Sequence, residues 1–154
     1  MKYALLFACL FIAASSAIVA SESPIRVYVF TTPPARPAFP TPDDRDRRDS
    51  VKDMIWEINR WFEFDVVNDR GEAEIMVEIL GREIDPRNAD RMVVHCRVTS
   101  GGDVMIVDGL EERWLAAAQD AAGQIRRWAK SHKAEIVARR PLKKMKEKYS
   151  PCTH

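Results

Sequence analysis

Three histidines and three cysteines are the residues of this chain best suited to bind a metal or to act as nucleophiles. His95, His132 and His154 do not follow any spacing that metal ligands require, so the sequence predicts no metal site. It contains neither a G-x-S-x-G nor an S-x-x-K motif, and no cysteine has an evident histidine partner. The sequence therefore predicts no cofactor and assigns no catalytic residue, and it leaves enzyme activity uncertain while favouring a protein that is not an enzyme.

Two further patterns have the residue types for phosphate binding or for acid–base chemistry. The segment Ser100–Asp103 is glycine-rich, but it joins two predicted strands and opens no helix, so it predicts a hairpin turn. Glu74 and Glu78 alternate with apolar residues, which places both on the solvated face of a strand. Neither pattern selects a catalytic pair. A small envelope hydrolase with unidentified catalytic residues is the alternative function.

Basic residues are concentrated near the carboxyl terminus. From Arg126 to Lys148 there are ten basic and two acidic residues, whereas Ser21 to Ile125 holds 13 basic and 21 acidic ones. Six basic side chains could bind an anionic polymer, a membrane surface or an acidic partner: Arg139, Arg140, Lys143, Lys144, Lys146 and Lys148. A solubilising tail, or one that folds onto the acidic body, is equally compatible with the pattern. Only Tyr149 is aromatic there, so nucleic acid is not expected as a partner.

Two cysteines, Cys96 and Cys152, follow the amino-terminal segment. A disulfide between them would join the tail to the body in an oxidising compartment. Cys96 alternates with Val94 and Val98, a pattern typical of a small core residue, and Cys152 is the third residue from the end of the chain. An unpaired core cysteine therefore remains the alternative.

Residues 1–20 have the layout of a secretory signal peptide. Lys2 precedes an uncharged apolar run that ends in small residues at Ala20, after which cleavage is predicted, with Ala17 as the alternative. A retained membrane anchor is the competing interpretation. The full chain has 154 residues, is 46% hydrophobic and 31% charged, and carries a net charge of +1, which excludes general disorder. Cleavage would leave about 134 residues with no net charge, enough for one domain of an exported, periplasmic or secreted protein.

Hydropathy patterns in the rest of the chain predict an α/β domain over residues 21–137, followed by a basic tail over 138–154. After a first strand comes a proline-rich and charged loop over 31–48, then a helix that begins near Ser50 and carries an apolar stripe. Trp56 lies off this stripe, so we expect its side chain to be partly exposed, which is ordinary for a single indole. The stripe consists of Val51, Ile55, Ile58 and Phe62.

Alternating residues predict the strands, and a spacing of three and four predicts a second helix from about Glu111 to Val137. The predicted strands are 25–30, 64–67, 73–80, 92–99 and 104–107. We expect a two-layer fold in which a mixed or mostly antiparallel sheet of four to five strands carries two helices on one face. The predicted order of elements along the chain is βαβββα.

This pattern resembles small secreted bacterial α/β domains of uncharacterised families, and more loosely the TolB amino-terminal and CsgG-type periplasmic domains. The resemblance lies in Arg26–Phe30, in the helix over 51–62, and in Phe64–Val67 followed by Ala73–Val77. It implies a role in envelope binding or assembly and transfers no functional residues. The resulting expectation is an exported, non-enzymatic binding module whose partner is an envelope protein or an anionic surface.

Overall fold

Five strands form one mixed sheet in the computed structural model, which describes residues 23–33 and 41–140. In chain order they are β1 (Ile25–Thr31), β2 (Phe64–Val66), β3 (Ile75–Ile84), β4 (Met92–Ser100) and β5 (Asp103–Glu111). Their order across the sheet is β2-β1-β3-β4-β5, with β1 parallel to both neighbours and the remaining pairs antiparallel. The predicted α/β class is confirmed. The chain contains one strand more than the order βαβββα.

The helices are α1 (Pro42–Ile58), α2 (Trp114–Ser131) and the short α3 (Lys133–Ala138). The predicted helix over 111–137 is therefore two helices that meet at His132, whose φ of −109° and ψ of 12° are not helical. The hydroxyl of Ser131 donates to the carbonyl of Trp128, and His132 Nδ1 lies 2.9 Å from the same oxygen. Polar side chains that bond a nearby backbone carbonyl compete with the helical hydrogen bonds, which explains the break.

The core lies between one face of the sheet and the helices α1 and α2. Alternate residues of each long strand point into it, as a period of two requires. Met54 and Ile58 enter it from α1, and Ile125 enters it from α2. The strand residues of this core are Ile25, Val27, Val29, Phe64, Ile75, Val77, Ile79, Val94, Cys96, Val98 and Val107.

A glycine allows α2 to approach the sheet closely. A Cβ atom at Gly109 of β5 would lie 1.9 Å from the carbonyl oxygen of Ala117. Ala117, Ala118 and Ala121 are fully buried, so the alanine-rich side of α2 packs on β5 at backbone contact. This contact fixes α2 at the edge of the sheet, because only a residue without a side chain fits there.

Helix α1 begins earlier than its sequence pattern predicts. Thr41 is the N-cap, its side chain accepts a hydrogen bond from the backbone of Asp44, and Asp44 accepts one from the backbone of Thr41. This capping box, with Pro42 in the first turn, starts the helix where the predicted loop over 31–48 should continue. Residues 34–40 of that loop lie outside the described residues.

The predicted apolar stripe of α1 is wrong at its last member. The helix ends at Ile58, so Phe62 belongs to the following turn and is 92% exposed. The buried side of α1 is centred on Met54 and Ile58, while Val51 and Ile55 lie at its margin.

Several predictions fall on residues 1–22 and 141–154, outside the described residues. They are the signal peptide over 1–20, the residue Cys152, and the lysines Lys143, Lys144, Lys146 and Lys148. Within residues 23–33 and 41–140, no helix is both long enough and apolar enough to cross a membrane.

Candidate functional site

The solvent side of α1 carries a row of basic residues that ends in an indole. Arg45, Arg48, Lys52 and Trp56 are exposed and follow one another at spacings of three, four and four, so they share one side of the helix. Their side is opposite to the buried Met54. Trp56 is 53% exposed, which is unusual for the largest apolar side chain.

The acidic residues of α1 are largely neutralised by specific partners. Arg47 holds Asp43 and Asp44, Arg82 of β3 holds Asp46, Lys52 holds Asp49 at 3.0 Å, and Arg60 holds Glu57 at 3.0 Å. Burial raises the pKa of Asp53, with the neighbouring Asp49 adding to the effect.

These pairings leave two guanidinium groups of α1 without a carboxylate partner in the described part of the chain. They belong to Arg45 and Arg48, and Arg48 Nε donates only to the backbone carbonyl of Asp44, at 3.3 Å. Together with Asp49 and Lys52 they line a shallow depression on the outer side of α1.

At the carboxyl-terminal end of α1 the row is followed by aromatic rings that are in contact with guanidinium groups. The guanidinium of Arg60 lies over the ring of Trp56 at 5.0 Å, and that of Arg126 lies over the ring of Trp61 at 4.8 Å. Phe62 stands beside them in the turn and is almost wholly exposed. Arginine and large aromatic side chains are the types that contribute most to binding surfaces. We call the row and this end together the α1 surface, defined by Arg45, Arg48, Lys52, Trp56, Arg60 and Phe62.

Glu63 fixes the turn that presents Phe62. Its carboxylate accepts hydrogen bonds from Arg126, with Nε at 2.8 Å, and pairs with Lys130 at 2.8 Å. Burial by itself would raise the pKa of Glu63, but the hydrogen bonds from Lys130 and Arg126 outweigh it and lower the pKa to about 2. The carboxylate is therefore ionised at neutral pH and ties α2 to the end of α1.

The α1 surface offers two kinds of interaction side by side. Its cations can bind phosphate groups at intervals of one helical turn, and the exposed rings of Trp56 and Phe62 can stack on planar rings. The sequence interpretation missed this site because it placed Arg45 and Arg48 in the predicted loop over 31–48, outside the helix predicted from Ser50. Once the helix begins at Pro42, the spacing of Arg45, Arg48, Lys52 and Trp56 places the exposed indole in line with three cations.

Two of the predicted anion-binding residues are described, and both are engaged within the chain. Arg139 donates to Asp103 at 2.9 Å and to the carbonyl of Ser100 at 2.9 Å. Arg140 pairs with Glu74 and donates to the carbonyl of Pro24 at 2.8 Å. These contacts attach the end of α3 to the sheet. Anion binding by the full basic set stays a prediction, because its four lysines lie outside the described residues.

The carboxylates predicted to be solvated on β3 are instead held in ion pairs. The Glu74 side chain is 5% exposed and accepts hydrogen bonds from Arg26 and Arg140. Glu78 is 16% exposed and binds Arg97 at 3.0 Å. Alternation correctly put Glu78 on the sheet face away from the core, where Arg97 of β4 covers it. Glu74 lies just before β3, and its carboxylate accepts a hydrogen bond from the backbone N–H of Arg26 at 3.0 Å.

Cys96 and His95 occupy opposite faces of β4, as alternation predicts. Cys96 is fully buried, and burial raises the pKa of its thiol to about 12, so it is an inert core residue in the described part of the chain. Pairing with Cys152 remains a prediction. The His95 ring lies between Asp108, at 2.8 Å, and Glu83, at 3.4 Å. Within the described residues, no cluster of histidine, cysteine or acidic side chains fits a metal ion.

Comparison with known proteins gives only distant structural matches. No protein-family model and no curated protein matches the sequence. One matching structure is a ribosomal subunit interface protein from Coxiella burnetii, with a TM-score of 0.37 and 11% identity, covering 71% of this chain and 99% of the other. Another is the amino-terminal domain of Thermus thermophilus Protein Y, with a TM-score of 0.37 and 14% identity, covering 70% of this chain and 97% of the other.

These matches correct several expectations drawn from the sequence. The matched structures are a ribosomal subunit interface protein and a Protein Y domain, and not TolB or CsgG-type periplasmic domains, so the stated resemblance is wrong. The exported envelope module, with its signal-peptide, secreted and periplasmic attributes, is overturned by the same finding. An envelope protein or anionic surface finds no support as a partner, and the exclusion of nucleic acid is not upheld. At this TM-score the likeness assigns neither a function nor a partner to this chain.

Proposed function

We propose that this protein binds single-stranded nucleic acid through the α1 surface. The observation that carries the proposal is the exposed row Arg45, Arg48, Lys52 and Trp56, which places three cations and a stacking ring in one line. Proteins that bind single strands combine a cationic path for the phosphates with aromatic side chains on which the bases stack. Near the tail Tyr149 is the only aromatic residue, which speaks against nucleic acid there, and α1 supplies the missing combination.

The dimensions of the row suit a strand that lies along the helix. Residues four apart in an α-helix are separated by about 6 Å along its axis, so Arg48, Lys52 and Trp56 lie at nearly equal intervals. Arg48 and Lys52 differ in how much of their positive charge is already balanced by a carboxylate. Arg48 has no carboxylate partner in the described part of the chain, whereas Lys52 shares Asp49. Electrostatic attraction is therefore local to this row, and we expect modest affinity with a clear dependence on salt.

An unpaired strand fits this surface better than a duplex. Trp56 and Phe62 present ring faces, and a ring can stack only on a base that is not already stacked inside a helix. Arg60, which lies over Trp56, adds a guanidinium plane at the same place. Stacking on one aromatic side chain contributes about 1–3 kcal/mol per base.

Fluorescence anisotropy with labelled oligonucleotides tests the proposal. The full chain is titrated against a single-stranded RNA, the DNA strand of the same sequence, and the RNA duplex. Arg48→Glu is compared with Arg87→Glu, which makes the same charge change on an exposed residue of the β3–β4 connection. We expect Arg48→Glu to weaken binding to the single strands at least tenfold and Arg87→Glu to leave it within a factor of two, because only Arg48 lies on the α1 surface.

The three nucleic acids also separate the possible outcomes. Stronger binding of either single strand than of the duplex supports stacking on exposed bases, and the RNA and DNA arms identify the preferred sugar. Equal losses in the two variants would show that net charge alone is sensed and would contradict the proposal. Failure of all three nucleic acids to bind at low salt would do the same.

A further inference from the structure

Strand β5 is an edge of the sheet and exposes apolar side chains. It pairs only with β4 in the described part of the chain, so its other edge faces outward. Val104 is 64% exposed and Ile106 is 59% exposed, and both point to the sheet face that the helices leave open. An exposed apolar edge strand is a template for pairing with another strand.

Side chains of α2 cover one half of this edge. Asp120 accepts a hydrogen bond from the backbone N–H of Leu110 at 3.2 Å, and Gln124 donates to the carbonyl of Asp108 at 2.8 Å. These bonds show that the backbone groups of the even-numbered residues of β5 point away from β4. Covering such groups is a known way of preventing strand addition. On β5 the covered groups extend from Leu110 back to the carbonyl of Asp108, and the strand before that carbonyl is uncovered.

The uncovered half is symmetric about Ile106. Its free backbone groups are the N–H and carbonyl of Val104, the N–H and carbonyl of Ile106, and the N–H of Asp108, none of which has a hydrogen bond in the described residues. A twofold axis at Ile106 exchanges the Val104 carbonyl with the Asp108 N–H and returns Ile106 to itself. Apart from the Val104 N–H, which would face the Asp108 carbonyl already bonded to Gln124, the free set is therefore complementary to a second copy of itself.

We propose that two copies of this chain join their β5 edges in an antiparallel pair centred on Ile106. Each copy donates from the N–H of Ile106 to the same residue of the second copy, and from the N–H of Asp108 to the carbonyl of Val104. The pair therefore gains four backbone hydrogen bonds, and the two sheets become one of ten strands.

The side chains agree with this register. The two Ile106 side chains become direct cross-strand neighbours on the open face, which is a favourable pair of β-branched residues. Asp108 lies opposite Val104 of the second copy, so no like charges face each other. A register shifted to centre on Asp108 would place two carboxylates together and would need the backbone carbonyls that Gln124 already occupies.

The mass of the full chain in solution tests the dimer. Sedimentation equilibrium is measured over a range of concentrations for the wild type, for Ile106→Lys and for Ile84→Lys. Ile84 is the matched control because it is 55% exposed and lies at the end of β3, away from the β5 edge. We expect wild type and Ile84→Lys to approach twice the chain mass and Ile106→Lys to remain at the chain mass, because two lysines would then oppose each other.

Hydrogen exchange in the wild type gives a second readout that needs no variant. The amides of Ile106 and Asp108 should exchange more slowly as the dimer forms, while the amide of Leu110, already bonded to Asp120, should not change. A monomeric wild type at the highest concentration would overturn the proposal. So would a dimer that persists in Ile106→Lys or that leaves both amides unprotected. Neither result bears on nucleic-acid binding at α1.

Discussion

At the level of single residues, Glu63 shows how acidic and basic residues that are far apart in the sequence pair in this fold. One carboxylate holds Arg126 and Lys130 of α2 against the turn that follows α1. Arg139 and Arg140 are likewise bound by Asp103 and Glu74. The basic carboxyl-terminal residues and the acidic body that the sequence separates are thus joined in the described part of the chain. On α1, by contrast, Arg45 and Arg48 have no carboxylate partner in the described part of the chain.

The pKa of Glu63 predicts a specific pH dependence of stability. Because the folded-state pKa is about 2 and the ordinary value is 4.5, the contribution of this carboxylate is complete above pH 4.5 and is lost as the pH falls towards 2. We expect Glu63→Gln to lower the free energy of unfolding by about 1–2 kcal/mol at neutral pH, a moderate value because Lys130 is half exposed. Urea unfolding of both proteins between pH 7 and pH 2 measures this.

The comparison contains its own control. The gap in stability between wild type and Glu63→Gln should narrow towards pH 2, whereas Glu83→Gln, at an exposed carboxylate, should differ little from wild type at any pH. A gap that stays constant with pH would show that the carboxylate charge is not what stabilises the turn.

Gly109 is a second residue with a measurable role. Gly109→Ala places a Cβ against the carbonyl oxygen of Ala117, where neither backbone can move without separating α2 from β5. We expect a loss of about 3 kcal/mol or more in unfolding free energy, comparable with severe overpacking of a core. Gly81→Ala is the control because nothing lies within 4 Å of its Cβ position. Equal stability of the two variants in urea would contradict the close packing of α2.

At the level of elements, the start of α1 depends on its cap. Thr41→Ala removes the side chain that accepts the N–H of Asp44, while Thr41→Ser retains an equivalent hydroxyl. We expect the alanine variant to lose about 1 kcal/mol of unfolding free energy and some helical circular dichroism, and the serine variant to match wild type. If both variants behave alike, the capping box does not start this helix.

The elements also show how much the sequence could predict. Strand alternation identified the core face of β3 and β4, because each long strand buries every second residue. The hydropathy pattern misplaced the start of α1. The prolines before Thr41 indicate a loop, whereas Pro42 itself fits the first turn of a helix. The pattern also extended the apolar stripe to Phe62, because periodicity cannot show that the helix ends at Ile58.

The candidate site was harder to predict than the core. Arg45, Arg48 and Lys52 occur among the acidic residues of a charged segment, and only the structure shows that most of those acids are bound by other cations. Arg82, which neutralises Asp46, is 36 positions away in sequence. Counting charges along the sequence therefore cannot show which cations of α1 lack a carboxylate partner, because some of the acidic residues pair with basic residues that are distant in sequence.

At the level of the whole molecule, the chain presents two separate surfaces on one scaffold. The α1 surface faces outward from the helical layer, and the free edge of β5 lies at the margin of the sheet. A β5-paired dimer would hold two α1 surfaces in one particle related by twofold symmetry. Both surfaces could then act on one long strand, with a gain in apparent affinity that depends on their separation.

The salt dependence of binding follows from the charges of the α1 surface. Of its four cations, Arg45 and Arg48 have no carboxylate partner in the described part of the chain, whereas Lys52 and Arg60 are paired with acidic residues of α1. At about −0.7 per phosphate contact on a single strand, we expect a slope of about −1.5 to −3 for the logarithm of the association constant against the logarithm of salt concentration. Arg48→Glu should reduce its magnitude by at least about 0.7, and Arg87→Glu should not. A slope that is unaffected by Arg48→Glu would place the phosphate contacts elsewhere.

Stacking of a base on Trp56 is the central claim, and a thermodynamic cycle measures it most directly. The affinities of the wild type and of Trp56→Ala are determined for a single strand and for an abasic strand of the same length and charge. The account predicts that Trp56→Ala weakens binding of the normal strand by about 1–3 kcal/mol and leaves the abasic strand unaffected. Equal losses on both strands, or none on either, would contradict it.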